Sequence, residues 1–164
     1  MVTISVWMIA SCASTQSFTI AVDDIDEFDV STPVVIAFEY WNFVPGACLS
    51  LSVIIRSEEG YPIFNTGSAQ DPAWSDRPYP VGLFRSLFYI PADLLNDGAH
   101  RVHLYIARNQ SEALLSSEDL LVFDVQDAPG RRSGWYGKWV GAVRPNLEWR
   151  TEQLAEHGGD DAHR

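Results

Sequence analysis

Short runs in which apolar and polar residues alternate recur along almost the whole chain, at 3–10, 17–22, 34–43, 48–56, 63–65, 83–90, 100–108 and 120–125. A period of two is the pattern of strands with one face buried, because successive side chains on a pleated strand point to opposite sides. Turn residues separate several of these runs: Pro45-Gly46, Glu59-Gly60 and Asn96-Asp97-Gly98. Long amphipathic helical patterns are absent, and the one helical turn expected is 92–95, opened by Pro91. Short strands at this spacing predict an all-β, immunoglobulin-like antiparallel β-sandwich. The single domain covers 1–150 and a flexible polar tail covers 151–164.

The pleat also sorts residues into faces. Ile36, Phe38 and Tyr40 share one side of their strand, as do Leu49, Leu51, Val53 and Ile55, and as do Val102, Leu104 and Ile106. These are the expected core. The opposite sides carry Glu39 and Trp41 on one strand, Ser50, Ser52 and Arg56 on a second, and Arg101, His103 and Tyr105 on a third. The loop 67–80 is long for a compact β domain and holds Trp74 and Tyr79. Long loops on rigid sandwiches commonly carry binding residues.

Composition narrows the function classes. The 164 residues carry 22 acidic against 11 basic side chains, a formal charge of −11, and a single lysine, Lys138. Nucleic-acid binding draws its affinity from Lys and Arg displacing counterions, so it is excluded as an expectation, and anionic membrane surfaces are disfavoured likewise. No run reaches the 18 or so apolar residues of a membrane span.

The two cysteines, Cys12 and Cys48, form no disulfide framework and no zinc spacing, which points to a reduced, cytoplasmic setting. Ile9-Ala10-Ser11-Cys12 looks like a lipoprotein cleavage box, but the preceding residues lack a basic start and alternate as a strand does.

Motifs for nucleotides and nucleophiles are missing: there is no G-x-x-x-x-G-K-[ST] loop and no G-x-S-x-G elbow. His100 and His103 fall on opposite faces of a strand and cannot share a metal ion. The acidic run 23–29 lacks the glycine of a calcium loop, so a solvated connector is expected there. What remains is the aromatic excess, 12% of the chain with six tryptophans. The C–H faces of a sugar ring stack on Trp and Tyr, while Glu, Arg and His bond its hydroxyls. Trp41 with Glu39, Trp74 in its loop, and Arg101, His103 and Tyr105 are the carbohydrate-binding candidates, each with packing as the competing explanation.

Near the C-terminus, Gly141-Ala142-Val143-Arg144-Pro145-Asn146-Leu147-Glu148-Trp149 resembles the G-x-x-R-P-x-L-x-W ending of the C-terminal domain of polysaccharide ABC-transporter ATPase subunits, the Wzt-type O-antigen exporters. Glu59-Gly60 with Pro62 and Phe64-Asn65-Thr66, then Ile90-Pro91 with Leu94-Leu95 and Gly98, match further pieces of that family in order. The resemblance spans about residues 2–150.

It implies a cytoplasmic, non-catalytic sandwich without cofactors that recognises the polysaccharide to be exported, working with the transporter's ATPase and membrane subunits. It also implies a homodimer formed by exchange of the C-terminal strand. Arg144, Pro145, Leu147 and Trp149 carry over as structural positions of that strand, with 128–134 as the hinge. The family's sugar contacts vary with the polymer and do not carry over. Its ATPase domain does not precede this sequence, which starts at Met1 on a strand, so the chain is either an excised domain or a free-standing partner acting in trans. The alternatives are a protein–protein assembly domain of the export machinery and a β-sandwich glycosidase, which requires two carboxylates in one cleft.

Overall fold

The computed structural model describes residues 28–128, 137, 139–145 and 147–152, together with the backbone of Val2–Met8. The expected strand at 17–22, most of the acidic run and of the 128–134 hinge, and most of the C-terminal tail lie outside these residues.

Among the described residues eight strands form two sheets: β1 (Val2–Met8), β2 (Phe28–Asp29), β3 (Val34–Asn42), β4 (Leu49–Ser57), β5 (Pro62–Gly67), β6 (Gly82–Ile90), β7 (Gly98–Arg108) and β8 (Glu112–Gln126). The three-stranded sheet has the order β1-β3-β6 and the five-stranded sheet the order β2-β8-β7-β4-β5. Most pairings are antiparallel; β1 with β3 and β2 with β8 are parallel additions.

The sheets face each other across the core that alternation predicts. Ile36, Phe38 and Tyr40 of β3 meet Leu51, Val53 and Ile55 of β4, Val102, Leu104 and Ile106 of β7, and Leu121, Phe123 and Val125 of β8, all buried. Phe38 lies at the centre and stacks on Phe88 with ring centroids 6.2 Å apart. This is the aligned interdigitation of a sandwich.

Two elements differ from expectation. Residues 92–95 form turns rather than a helix: Asp93 has φ 62°, outside helical space, and its amide donates to the Val30 carbonyl at 2.8 Å. β8 runs through 112–119 as well as 120–125, because a bulge puts His103 of β7 opposite three residues of β8, with Asp119 at φ 51°. The bulge shifts the alternation of inward positions, which hides the first half of the strand from a period-two reading.

His100 and His103 lie on opposite faces as predicted. His100 is buried against Phe123, with centroids 5.5 Å apart, and its Nδ1 sits 2.9 Å from the Gly98 carbonyl, while His103 faces outward near Ser116. Burial pushes the His100 imidazole below the usual range, opposed by the Gly98 carbonyl and by the Asp124 and Asp97 charges.

Candidate functional site

The 67–80 loop closes one side of the sandwich between the end of β5 and strand β6. Two anchors hold it. Asn42, buried at the end of β3, donates through Nδ2 to the carbonyls of Val44 and Pro80 at 2.9 Å and of Tyr79 at 3.4 Å. Its Oδ1 accepts the Val44 amide at 3.2 Å, and Ala47 bridges Tyr79 through backbone bonds. At the other end, Asp71 accepts the Ala73 amide at 2.8 Å, and its carbonyl accepts those of Trp74 and Ser75. That turn projects Trp74.

Trp74 packs on Tyr79 at 4.7 Å and edge-on against Phe84 at 5.3 Å, with Tyr79 and Phe84 themselves 4.8 Å apart. Together with Phe38, Tyr40 and Phe88 these rings line a cavity of about 410 Å³ open to solvent. Its polar lining comprises the Tyr40 hydroxyl, 3.1 Å from Ser86 Oγ, with Thr66, Ser68, Gln70, the carboxylate of Asp71 and Arg85, whose guanidinium is paired with Glu39. Burial raises both tyrosine hydroxyls above their ordinary range, so they remain protonated and can each donate as well as accept. Aromatic walls with hydroxyls, the Gln70 carboxamide and one charged group of each sign form a surface suited to a polyol.

The remaining sequence candidates do not join this cavity as one site. Glu39, expected on an outward, ligand-facing surface, is 4% exposed and ion-paired with Arg85 across the β3–β6 register. That corrects the reading: the outward side of β3 is largely covered, with Val35 and Ala37 buried too, and the Glu39 carboxylate is engaged within the fold.

Trp41 stays exposed, stacked on Phe43 at 5.8 Å. Arg101, His103 and Tyr105 do line the outer face of the five-stranded sheet, yet Arg101 is tied to Asp119 at 2.8 Å and His103 lies 3.2 Å from Ser116 Oγ. The cleft residues Tyr40 and Phe84 were not among the candidates. Tyr40 follows the core alternation of β3, and nothing local marks the core position that opens into a cleft.

The C-terminal motif has a clear mechanical role. Gly141, at φ 105°, turns the chain so that its carbonyl accepts Asn96 Nδ2 at 2.7 Å, and the same amide reaches the Trp139 carbonyl at 3.0 Å. Leu95 bridges Val143, and the Arg144 amide donates to the Leu94 carbonyl at 3.0 Å. Arg144 binds Asp127 at 2.8 Å and lies over the Trp139 ring, 4.9 Å from its centroid.

Beyond Arg144 no strand is formed among the described residues. Pro145, Leu147 and Trp149 have no ladder partner among the described residues, and Leu147 and Trp149 are 66% and 89% exposed.

Models of known protein families give no match to this chain, and no curated protein matches it in sequence. Among solved structures, the crystal structure of the C-terminal domain of Wzt superposes with a TM-score of 0.61 at 14% identity, covering 77% of this chain and 74% of that one. The chain is therefore an all-β sandwich with the fold of the Wzt C-terminal domain.

Proposed function

We propose that the chain recognises a bacterial surface polysaccharide, without cleaving it, for export by an ABC transporter at the cytoplasmic face of the membrane. The observation that carries the reading is the aromatic cleft under Trp74, on a fold shared with the Wzt C-terminal domain. The cleft offers stacking surfaces and uncharged hydroxyls, and its lining includes one carboxylate, Asp71, where a glycosidase uses two. Among the described residues no helix is long and apolar enough to cross a membrane.

Titration with the surface polysaccharide of the encoding strain tests this through tryptophan fluorescence. Trp74→Ala is expected to weaken binding by about thirty-fold, near 2 kcal/mol, as removal of a central aromatic anchor does. Saturable binding that Trp74→Ala leaves unchanged would place the sugar elsewhere.

A second contact surface accompanies the first. The outer side of the three-stranded sheet exposes Trp41 beside Leu83, with Leu87 and Tyr89 following along β6. A largely apolar face of this kind, interrupted by Arg85 and meeting the cleft at Leu87 and Tyr89, suits a protein, such as the transporter's ATPase or membrane subunit.

The homodimer is part of the same proposal: the exposed 145–149 segment supplies the strand exchanged between copies. Deleting everything from Pro145 onward, which spares the Arg144–Asp127 pair, is expected to convert a dimeric mass in light scattering to a monomeric one. A monomeric mass for the intact chain would remove the exchange.

A further inference from the structure

Next to the aromatic cleft lies a second recess that the reading above does not use. It exists because two paired strands end at different places. β5 stops at Gly67, opposite Ser52, whereas β4 continues back to Leu49, so the first residues of β4 have no partner on that side. The short 3₁₀ turn Ser68–Gln70 folds over the gap, held by Ser68 Oγ accepting the Leu51 amide at 2.9 Å. The result is a notch of about 580 Å³.

Its lining is mixed: Cys48, Leu49, Leu51 and Ala69 supply an apolar floor, and polar side chains surround it. Ser50, Ser52, Asn65, Ser75, Asp76 and Gln110 line it, and no Lys, Arg or His does. Ser52 Oγ donates to Asn65 Oδ1 at 3.0 Å, which fixes the carboxamide and leaves both N–H donors of Asn65 without a partner among the described residues. Gln110 Nε2 donates to Asp76 Oδ1 at 2.9 Å, leaving the Gln110 carbonyl and the second Asp76 oxygen as acceptors. Asp76 and Gln110 both hold positive φ, 55° and 58°, conformations that cost energy in non-glycine residues and that gather at binding sites.

The notch borders the cleft. Leu51, Thr66, Gly67, Ser68 and Gln70 line both, and the 71–76 turn serves the two at once, Trp74 facing the first and Asp76 the second. At the divide, Gly67 presses against β4: a Cβ there would stand 2.6 Å from the Leu51 carbonyl oxygen. The close-packed Gly67 backbone therefore forms a thin divide between the two recesses, one that only glycine allows.

We infer that the notch is a second saccharide subsite, contiguous with the Trp74 cleft, so that the chain reads at least two adjacent sugar residues. Fixed hydroxyls, carboxamides and a carboxylate with no cation select a neutral, hydroxyl- or amide-bearing sugar at this position and reject uronates and phosphorylated sugars. The inference rests on the proposal that the cleft binds glycan.

Calorimetry with sized fragments of the encoding strain's surface polysaccharide, from one sugar residue upward, separates the two. Affinity is expected to rise at least ten-fold from the monosaccharide to a di- or trisaccharide. Asn65→Ala and Gln110→Ala, both at exposed hydrogen bonds, are expected to abolish that rise while leaving monosaccharide binding and thermal stability unchanged. Affinity independent of fragment length, or a rise that survives both substitutions, would overturn the second subsite and leave the cleft reading intact. Absence of binding by any fragment would overturn both.

Discussion

Asn42→Ala is expected to lower the stability of the folded chain by about 3 kcal/mol and to weaken glycan binding along with it. The buried carboxamide satisfies three backbone carbonyls and one amide at the junction of β3 with the 67–80 loop. A methyl group in its place leaves several of these groups without partners. Each net hydrogen bond is worth about 1 kcal/mol, and each buried group left unsatisfied costs about 1–3 kcal/mol. Relaxation and water entry reduce the sum, and a loss of about 3 kcal/mol corresponds to a fall in Tm on the order of 8 °C for a domain of this size.

The effect on binding follows from the same contacts, since Tyr79 and Pro80 belong to the loop that carries Trp74. Asn42→Asp is the sharper version. It preserves the acceptor for the Val44 amide but sets a buried negative charge against the Val44 and Pro80 carbonyl oxygens, so it is expected to be at least as damaging. Thermal melts of both variants, with Trp74 fluorescence as a local reporter, check this. Melting temperatures within 2–3 °C of the parent chain (less than about 1 kcal/mol) would show that the loop is held by other means.

Arg144→Ala is expected to cost about 2–3 kcal/mol and to release the 139–144 segment from the 92–97 turns. The Arg144 and Asp127 side chains are only 13% and 14% exposed, and breaking a buried ion pair from one side costs about 3–5 kcal/mol, less where some solvent reaches it. The guanidinium also lies over Trp139, an arrangement that depends on its planar shape. Arg144→Lys keeps the charge but lacks the planar fork, so it is expected to recover only part of the loss. Denaturant unfolding measures both variants, and hydrogen exchange at the Asn96 and Arg144 amides reports undocking. Full recovery by lysine would reduce the role of Arg144 to charge alone.

Much of the architecture was legible because alternation is a direct consequence of the pleat. Of the ten residues that parity assigns inward, Ile36, Phe38, Tyr40, Leu51, Val53, Ile55, Val102, Leu104 and Ile106 are buried, and Leu49, at the start of β4, is only partly buried. Parity says which side a residue faces and nothing of what covers that side. Glu39 was misread for that reason, and Trp41, two residues on, was left exposed on the same face.

Bulges defeat parity too, as at Asp119 in β8. Asn42 and Asn96 are invisible for a different cause. Their value lies in carbonyls 37 to 45 residues away, a pairing that only the folded chain creates. Turn chemistry predicted the long loop and its Trp74. It did not predict that an early end to β5 would open a notch beside it, because strand ends are set by pairing rather than by composition.

The most direct test of glycan recognition is an amide chemical-shift map recorded while the encoding strain's surface polysaccharide is added to the full chain. Saturable shifts concentrated at Asp71, Trp74, Tyr79 and Ser86 are the predicted result. Shifts confined to the outer faces that carry Trp41 or Tyr105, or no shifts at all from a folded sample, would contradict it.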